Sequence, residues 1–163
     1  MKTQQGATLI ISLIILLVLA LISVAGIRAV VLEERMVGNQ RDVQLAFQAA
    51  EAALEHAEQT VKSFSTTPLA SDYDWLYNRQ DATPLWQQVN WQDPDAVADY
   101  GGPALGQLSQ QPKHVAELLM TVSANDSLEV GAVDDSQQLY RITTRATGQS
   151  DNAVVIIQSI YRQ

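Results

Sequence analysis

Cysteine is absent from the 163-residue chain. That removes disulfides, zinc–cysteine sites, iron–sulfur clusters and thiol catalysis. It leaves compartment open, since a chain without thiols suits either redox environment. Basic residues are scarce: 10 Lys and Arg stand against 18 Asp and Glu, a formal charge of -8. With no basic cluster to meet phosphates, nucleic acid is excluded as a partner. Histidine occurs twice, at His56 and His114, and no nucleophile, base and orienting group lie together in sequence. An enzyme is therefore the weakest functional class. Proline and aromatics are few and unevenly placed: all 5 prolines and six of the ten aromatics fall between Ser65 and Pro112. The length allows one domain plus a terminal segment.

Charge is missing altogether between Lys2 and Arg28. The stretch Ala7–Ile27 is apolar apart from Thr8, Ser12 and Ser23, each able to bond back to a helix backbone. As a helix it spans about 30 Å, the thickness of a bilayer core, and in lipid only a helix satisfies its own backbone. Lys2 places the N-terminus in the cytoplasm by the positive-inside tendency, although Arg28 pulls the other way. The chain from Arg28 onward then faces the periplasm or exterior. Three readings compete for this segment. It is a plain membrane anchor; or a secretory signal cut after Ser23-Val24-Ala25, with an apolar run longer than the ~7–15 residues usual there; or a helix preceded by a short polar leader ending in Gly6. The third arrangement, Gly6 followed at once by Ala7-Thr8-Leu9-Ile10, resembles the leader of type IV pilins and secretion pseudopilins, which are cut before the helix.

Beyond Arg28 the helical signal persists. Phe47, Ala50, Leu54, Ala57, Val61 and Phe64 form one apolar stripe at helical spacing, with Gln44, Gln48, Glu51, Glu55, Gln59 and Lys62 opposite. No proline occurs before Pro68, so a helix is expected from about Ala7 to about Ser63, eased at most at Gly26 and Gly38-Asn39. Its first half is apolar all round. Its amphipathic half, 28–64, is expected to lay the stripe on a sheet, with His56 on the polar side. The region 65–112 reads as an irregular, aromatic-rich loop with a short helix around Thr83–Val89.

From Lys113 the period shifts towards two. The run Val115–Val122 alternates but also suits a helix. Tyr140–Thr147 alternates cleanly, Gly148–Asn152 reads as a hairpin connection, and Ala153–Tyr161 reads as a β-branched strand, placed centrally. The expected fold is α+β: a long N-terminal helix packed on a small antiparallel C-terminal sheet in 113–163.

Several segments together carry a family resemblance. They are the leader through Gly6-Ala7-Thr8-Leu9-Ile10, then Leu32-Glu33-Glu34-Arg35-Met36-Val37-Gly38-Asn39, then Ala46-Phe47-Gln48-Ala49-Ala50-Glu51-Ala52-Ala53-Leu54. Similarity continues in Pro112–Glu117, Tyr140–Thr143 and Val154–Arg162. The chain resembles the PilX-type minor pilins, a group that shares its role with the GspK-type pseudopilins of type II secretion. The resemblance implies a leader at 1–6, a transmembrane and filament-core helix at 7–27, cleavage between Gly6 and Ala7 by the prepilin peptidase, and N-methylation of Ala7. It implies assembly through the helix opened by Thr8, Leu9, Ile10 and Ile11. The implied partners are other minor pilins, the major pilin and a PilY-type tip adhesin. The implied places are the inner membrane first and then the pilus.

One position departs from the family's pattern. Most pilins carry Glu fifth in the mature chain, where this one has Ile11. A subunit lacking that carboxylate cannot neutralise the amine of a neighbour already in place. It can still offer its own amine to the next subunit, which suits a tip position. A type II secretion pseudopilin is the alternative. From another class, so is a signal-anchored periplasmic binding module. No cofactor is expected, although Asp93, Asp95 and Asp99 loosely resemble an oxygen-rich calcium loop, with Ala98 where an EF-hand needs Gly. Asp134-Asp135 is a weaker candidate. Trp75, Trp86 and Trp91 either pack the loop over the sheet or face a partner.

Overall fold

A computed structural model describes residues 5–64, 68, 72–78, 83–123 and 136–163. The leader residues 1–4, the expected start of the loop region at Ser65 and the pair Asp134-Asp135 lie outside them. One helix, α1, runs Gln5–Lys62 without interruption, so neither Gly26 nor Gly38 breaks it. Among the described residues five strands follow: β1 (Leu76–Asn78), β2 (Ala98–Asp99), β3 (Lys113–Ser123), β4 (Ser136–Thr147) and β5 (Val154–Arg162), with a four-residue helix α2 (Leu85–Gln88) after β1. The arrangement is α+β and pilin-like. The chain divides into two compact units between Arg41 and Asp42.

In the first unit the helix stands uncovered. Leu9, Leu16, Ile22 and Ile27 are each more than 60% exposed. Ser12 Oγ donates to the Leu9 carbonyl at 2.9 Å and Ser23 Oγ to the Leu19 carbonyl at 2.8 Å. Both hydroxyls thus hide their polarity inside the helix, as a lipid environment demands.

In the second unit the rest of α1 covers the sheet. The strand order is β1-β3-β4-β5, with β2 also on β3. The sheet is mixed: β3, β4 and β5 pair antiparallel, but β1 runs parallel to β3, with Leu76 opposite Ala116. A parallel neighbour needs a crossover connection, and the long stretch between β1 and β3 supplies one. The antiparallel sheet expected in 113–163 is present, and β1, from the region expected to be irregular, adds a parallel strand to it.

Residues alternate across the sheet. His114, Ala116, Tyr140, Ile142, Thr144 and Ala146 belong to the face that α1 covers. There Ala57, Val61, Leu76, Ala116, Tyr140 and Ile142 form one buried cluster, and Ala49, Ala50 and Ala146 a second. Each large aliphatic side chain buried here contributes roughly 1.5–3 kcal/mol. β4 is buried on both faces and holds the central position. β5, expected at the centre, is instead an edge strand among the described residues, with Val154, Ile156 and Ile160 exposed and every second residue turned to the helix. A β-branched run reports fitness for a pleated surface, not the number of neighbours.

The turn between β4 and β5 is tied to α1 through Asp42. Its carboxylate accepts from the backbone N–H of Gln149 at 2.5 Å and from the N–H and hydroxyl of Ser150. The Ser150 hydroxyl is the main reason the carboxyl is held below its ordinary value, ahead of the backbone donors and against desolvation. Gly148 permits the approach, because a Cβ there would run into Asp42.

Candidate functional site

The sequence-selected residues fall into three places. The first is the start of α1. The Gly6–Ala7 bond lies in the first turn of the helix. Thr8, Leu9, Ile10 and Ile11 follow in it, all exposed. The side chain of Ile11 therefore extends the uncovered apolar surface, and no carboxylate interrupts that surface from Ala7 to Arg28. An apolar surface of this size does not persist in water; it requires lipid or like helices.

The second place is the packed face of α1. Ala50, Ala57 and Val61 are fully buried, while Leu54 and Phe64 are half-buried against the same cluster. Phe47 departs from the expected stripe: it is 45% exposed, and Ala46, Ala49 and Ala53 occupy the contact instead. The true face is a line of alanines, Ala46, Ala49, Ala50, Ala53 and Ala57. Small side chains let the helix backbone approach the strands, and Thr144 Oγ1 on β4 donates to the Ala50 carbonyl at 3.2 Å. A large residue on this face would hold the helix off the sheet. The signal was present in the run AFQAAEAALEHA, where the alanine spacing marks the face better than the largest hydrophobe does.

The third place holds the aromatics. Trp75 belongs to a group under the end of α1, with ring centroids 6.2 Å from Phe64, 5.3 Å from Tyr73 and 5.2 Å from His114. Trp86 and Trp91 lie on the opposite face of the sheet, with Trp91 Nε1 donating to the Trp86 carbonyl at 3.2 Å. Lys113 Nζ donates to the Trp91 carbonyl at 3.0 Å, and Trp86 shares a hollow with Ile156 and Gln158 of β5. All three tryptophans are half-buried. The segment that carries Trp86 and Trp91 therefore covers the sheet face that α1 leaves bare.

The two histidines come together, His114 at the start of β3 and His56 on α1. His56 is not on the polar side of α1. It packs edge-on to Tyr100 at 5.3 Å and beside His114 at 6.4 Å. Gly101 lies against its ring, since a Cβ there would come within 3.2 Å of His56 Cε1. His56 flanks the alanine line by one residue, which turns it inward. His114 is 2% exposed, and neither ring nitrogen has a hydrogen-bond partner among the described residues. Burial lowers its pKa to about 4, assisted by the neighbouring His56 charge and opposed by Asp99. The ring is thus a neutral packing element at physiological pH.

On the face opposite α1, Tyr77, Glu117 and Arg141 stand in register across β1, β3 and β4. Arg141 Nη1 lies 3.5 Å from Glu117 Oε2. The Asp93–Asp95 segment is a turn, with the Asp95 N–H donating to Asp93 Oδ1 at 3.1 Å. Among the described residues no group of three or more His, Asp or Glu converges closely enough to hold a metal ion.

An uncovered apolar helix of membrane length, continued into an alanine-faced helix on a small sheet, defines a pilin-like subunit. Two family models match the chain. PilX N-terminal covers residues 5–55, and type IV pilus assembly protein PilX C-term covers residues 50–163. The chain belongs to the PilX family of type IV pilus assembly proteins. Neither a curated protein nor a solved structure matches it.

Proposed function

We propose that the chain is a structural minor pilin that helps prime type IV pilus assembly and sits at or near the filament tip. The prepilin peptidase cuts between Gly6 and Ala7, and the new amine of Ala7 is N-methylated. The subunit waits in the inner membrane on its apolar helix with the domain from Asp42 onward in the periplasm. On extraction it exchanges lipid for the helices of other minor pilins and the major pilin, so its apolar surface stays out of water throughout. A PilY-type adhesin is the partner at the tip.

The observation that carries the tip position is Ile11. A charge buried among apolar helices and left unpaired costs several kcal/mol. A subunit with Ile11 offers no partner to an amine ahead of it, and at the tip there is none ahead. A type II secretion pseudopilin would share the leader and the fold, but membership of a pilus assembly family favours the pilus.

Mass spectrometry of membranes and sheared filaments is expected to find a chain beginning at N-methylated Ala7, lost when the prepilin peptidase is deleted. A chain beginning at Met1 or Gly26 would remove the filament role. Co-purification with the other minor pilins is expected to weaken in Ile11→Glu, and unchanged recovery would remove the tip argument.

A further inference from the structure

The face of the sheet opposite α1 carries a cleft of about 390 Å³ between β1, α2 and the segment 89–96. That volume lies within the range of small-ligand sites. Glu117 lines it and is only 6% exposed. Its Oε2 is buried and accepts no hydrogen bond among the described residues. Arg141, at 3.5 Å, is an ion-pair neighbour beyond the usual hydrogen-bond distance. A buried carboxylate held by an ion pair alone gains from a further positive charge placed beside it.

The rest of the lining is suited to such a donor. Asn78 and Gln88 bring amide oxygens, and Gln88 Nε2 is already directed to the Thr83 carbonyl at 3.3 Å. The Tyr77 ring forms part of the wall, with its hydroxyl donating to the Ala96 carbonyl at 2.8 Å. No Lys or Arg lines the cleft among the described residues. The Tyr77 pKa is raised, first by burial and then by the charges of Asp93 and Asp74. Asp93 and Asp74 thus place negative charge near the Tyr77 side chain. The bias is general, since from Asp42 onward the chain keeps 16 of its 18 acidic residues but only 6 of its 10 basic ones.

We propose that this cleft receives the guanidinium group of an arginine side chain presented by a partner protein. Arginine keeps its charge at every relevant pH, presents five donors in one plane to carboxylate and amide oxygens, and stacks on an aromatic ring. The proposal concerns the globular unit and does not rest on the tip position.

The test is a titration of the isotope-labelled full chain in detergent micelles, following the amide resonances of Asn78, Gln88 and Glu117. N-acetyl-arginine methylamide is expected to shift them saturably. The citrulline analogue, equal in shape but uncharged, is expected to bind at least about tenfold more weakly, because charge-assisted hydrogen bonds are the stronger ones. Glu117→Gln is expected to weaken the arginine probe by a similar factor. Gln88→Lys at the exposed rim places a competing cation in the cleft and is expected to do the same, while Gln88→Glu tightens binding. Should Glu117→Gln fail to fold, the two Gln88 variants decide. Equal binding of the citrulline analogue, no shift with the arginine probe, saturable binding of a neutral disaccharide in its place, or tighter binding of free spermidine would each overturn the proposal.

Discussion

From Leu9 to Val37 the large apolar side chains of α1 stand exposed on every side, whereas from Asp42 onward the same helix presents an alanine face that the sheet covers. Both stretches are one continuous α-helix, yet they answer the same solvent problem in opposite ways. The first carries its hydrophobicity in Leu, Ile and Val and must find a partner outside the chain. The second carries it in Ala and finds a partner in β3 and β4. Large aliphatics suit a surface whose partner is fluid lipid or another subunit's helix. Alanine suits a surface pressed close to a fixed sheet, where the gain comes from near approach and from bonds such as Thr144 to the Ala50 carbonyl. Apolar content alone therefore does not mark the core of this protein; side-chain size beside a fixed partner does.

The comparison is broken most severely by emptying the covered side. Ile142→Ala in β4 leaves a cavity beneath α1 and is expected to destabilise the globular unit by about 2–5 kcal/mol, read as a lowered midpoint of denaturant unfolding. Membrane association is expected to stay unchanged, because Ile142 has no part in the uncovered helix. The converse change is Ile15→Arg, which places a charge at the centre of the apolar stretch. It is expected to cost about 2.5–3.5 kcal/mol of membrane insertion, read as protein recovered in the soluble fraction, with the unfolding midpoint of the globular unit unaltered. If either variant moved both readouts, the two stretches would not be independent in this sense.

Acid sharpens the same contrast. His114 is neutral when folded, with its pKa held near 4 against 6.5 for the free side chain. An unfolded chain therefore takes up a proton that the folded chain refuses. The stability is whole above pH 6.5 and is lost as pH falls from 6.5 towards 4, at about 1.4 kcal/mol per unit. Between pH 7 and pH 5 the globular unit is expected to lose about 2 kcal/mol from this group, and His114→Phe is expected to flatten that part of the profile. The uncovered helix has no titrating side chain between Lys2 and Arg28, and an amine at Ala7 keeps its charge between pH 7 and pH 5, so membrane association is expected to be level over the same range. The smallest effect is expected at Phe47. At 45% exposure, Phe47→Ala is expected to change the stability of the isolated subunit by less than about 0.5 kcal/mol. A loss of several kcal/mol would restore Phe47 to the packed face.

Much of this was legible because it depends on short-range pattern. The uncharged run from Ala7 to Ile27, the absence of proline before Pro68 and the clean alternation of Tyr140–Thr147 each follow from local chemistry. So does the pairing of Gly148 with a turn. Other features depend on what lies across the fold. Nothing local to Ala153–Tyr161 says that one of its edges is left without a strand. His56 looks polar on a helical projection, because the projection does not contain Tyr100 or the close approach of Gly101. Phe47 looks like core because a large apolar side chain on a helical stripe suggests burial, while the sheet meets the alanines beside it. The Glu117 cleft was invisible, since Tyr77, Gln88 and Glu117 are far apart in sequence and meet only when β1 joins β3 in parallel.

The sequence by itself determined that a helix of membrane length opens the chain, that it continues into an amphipathic half, and that position 11 offers no carboxylate. These are properties of consecutive residues, set by helix geometry and by the cost of charge in an apolar medium. Only the tertiary structure decided which line of the amphipathic half touches the sheet, which strand stands at the edge, and that a buried carboxylate on β3 lines a polar cleft. Each of these is a contact between residues far apart in the chain, and such contacts depend on strand order and register, which no local pattern encodes.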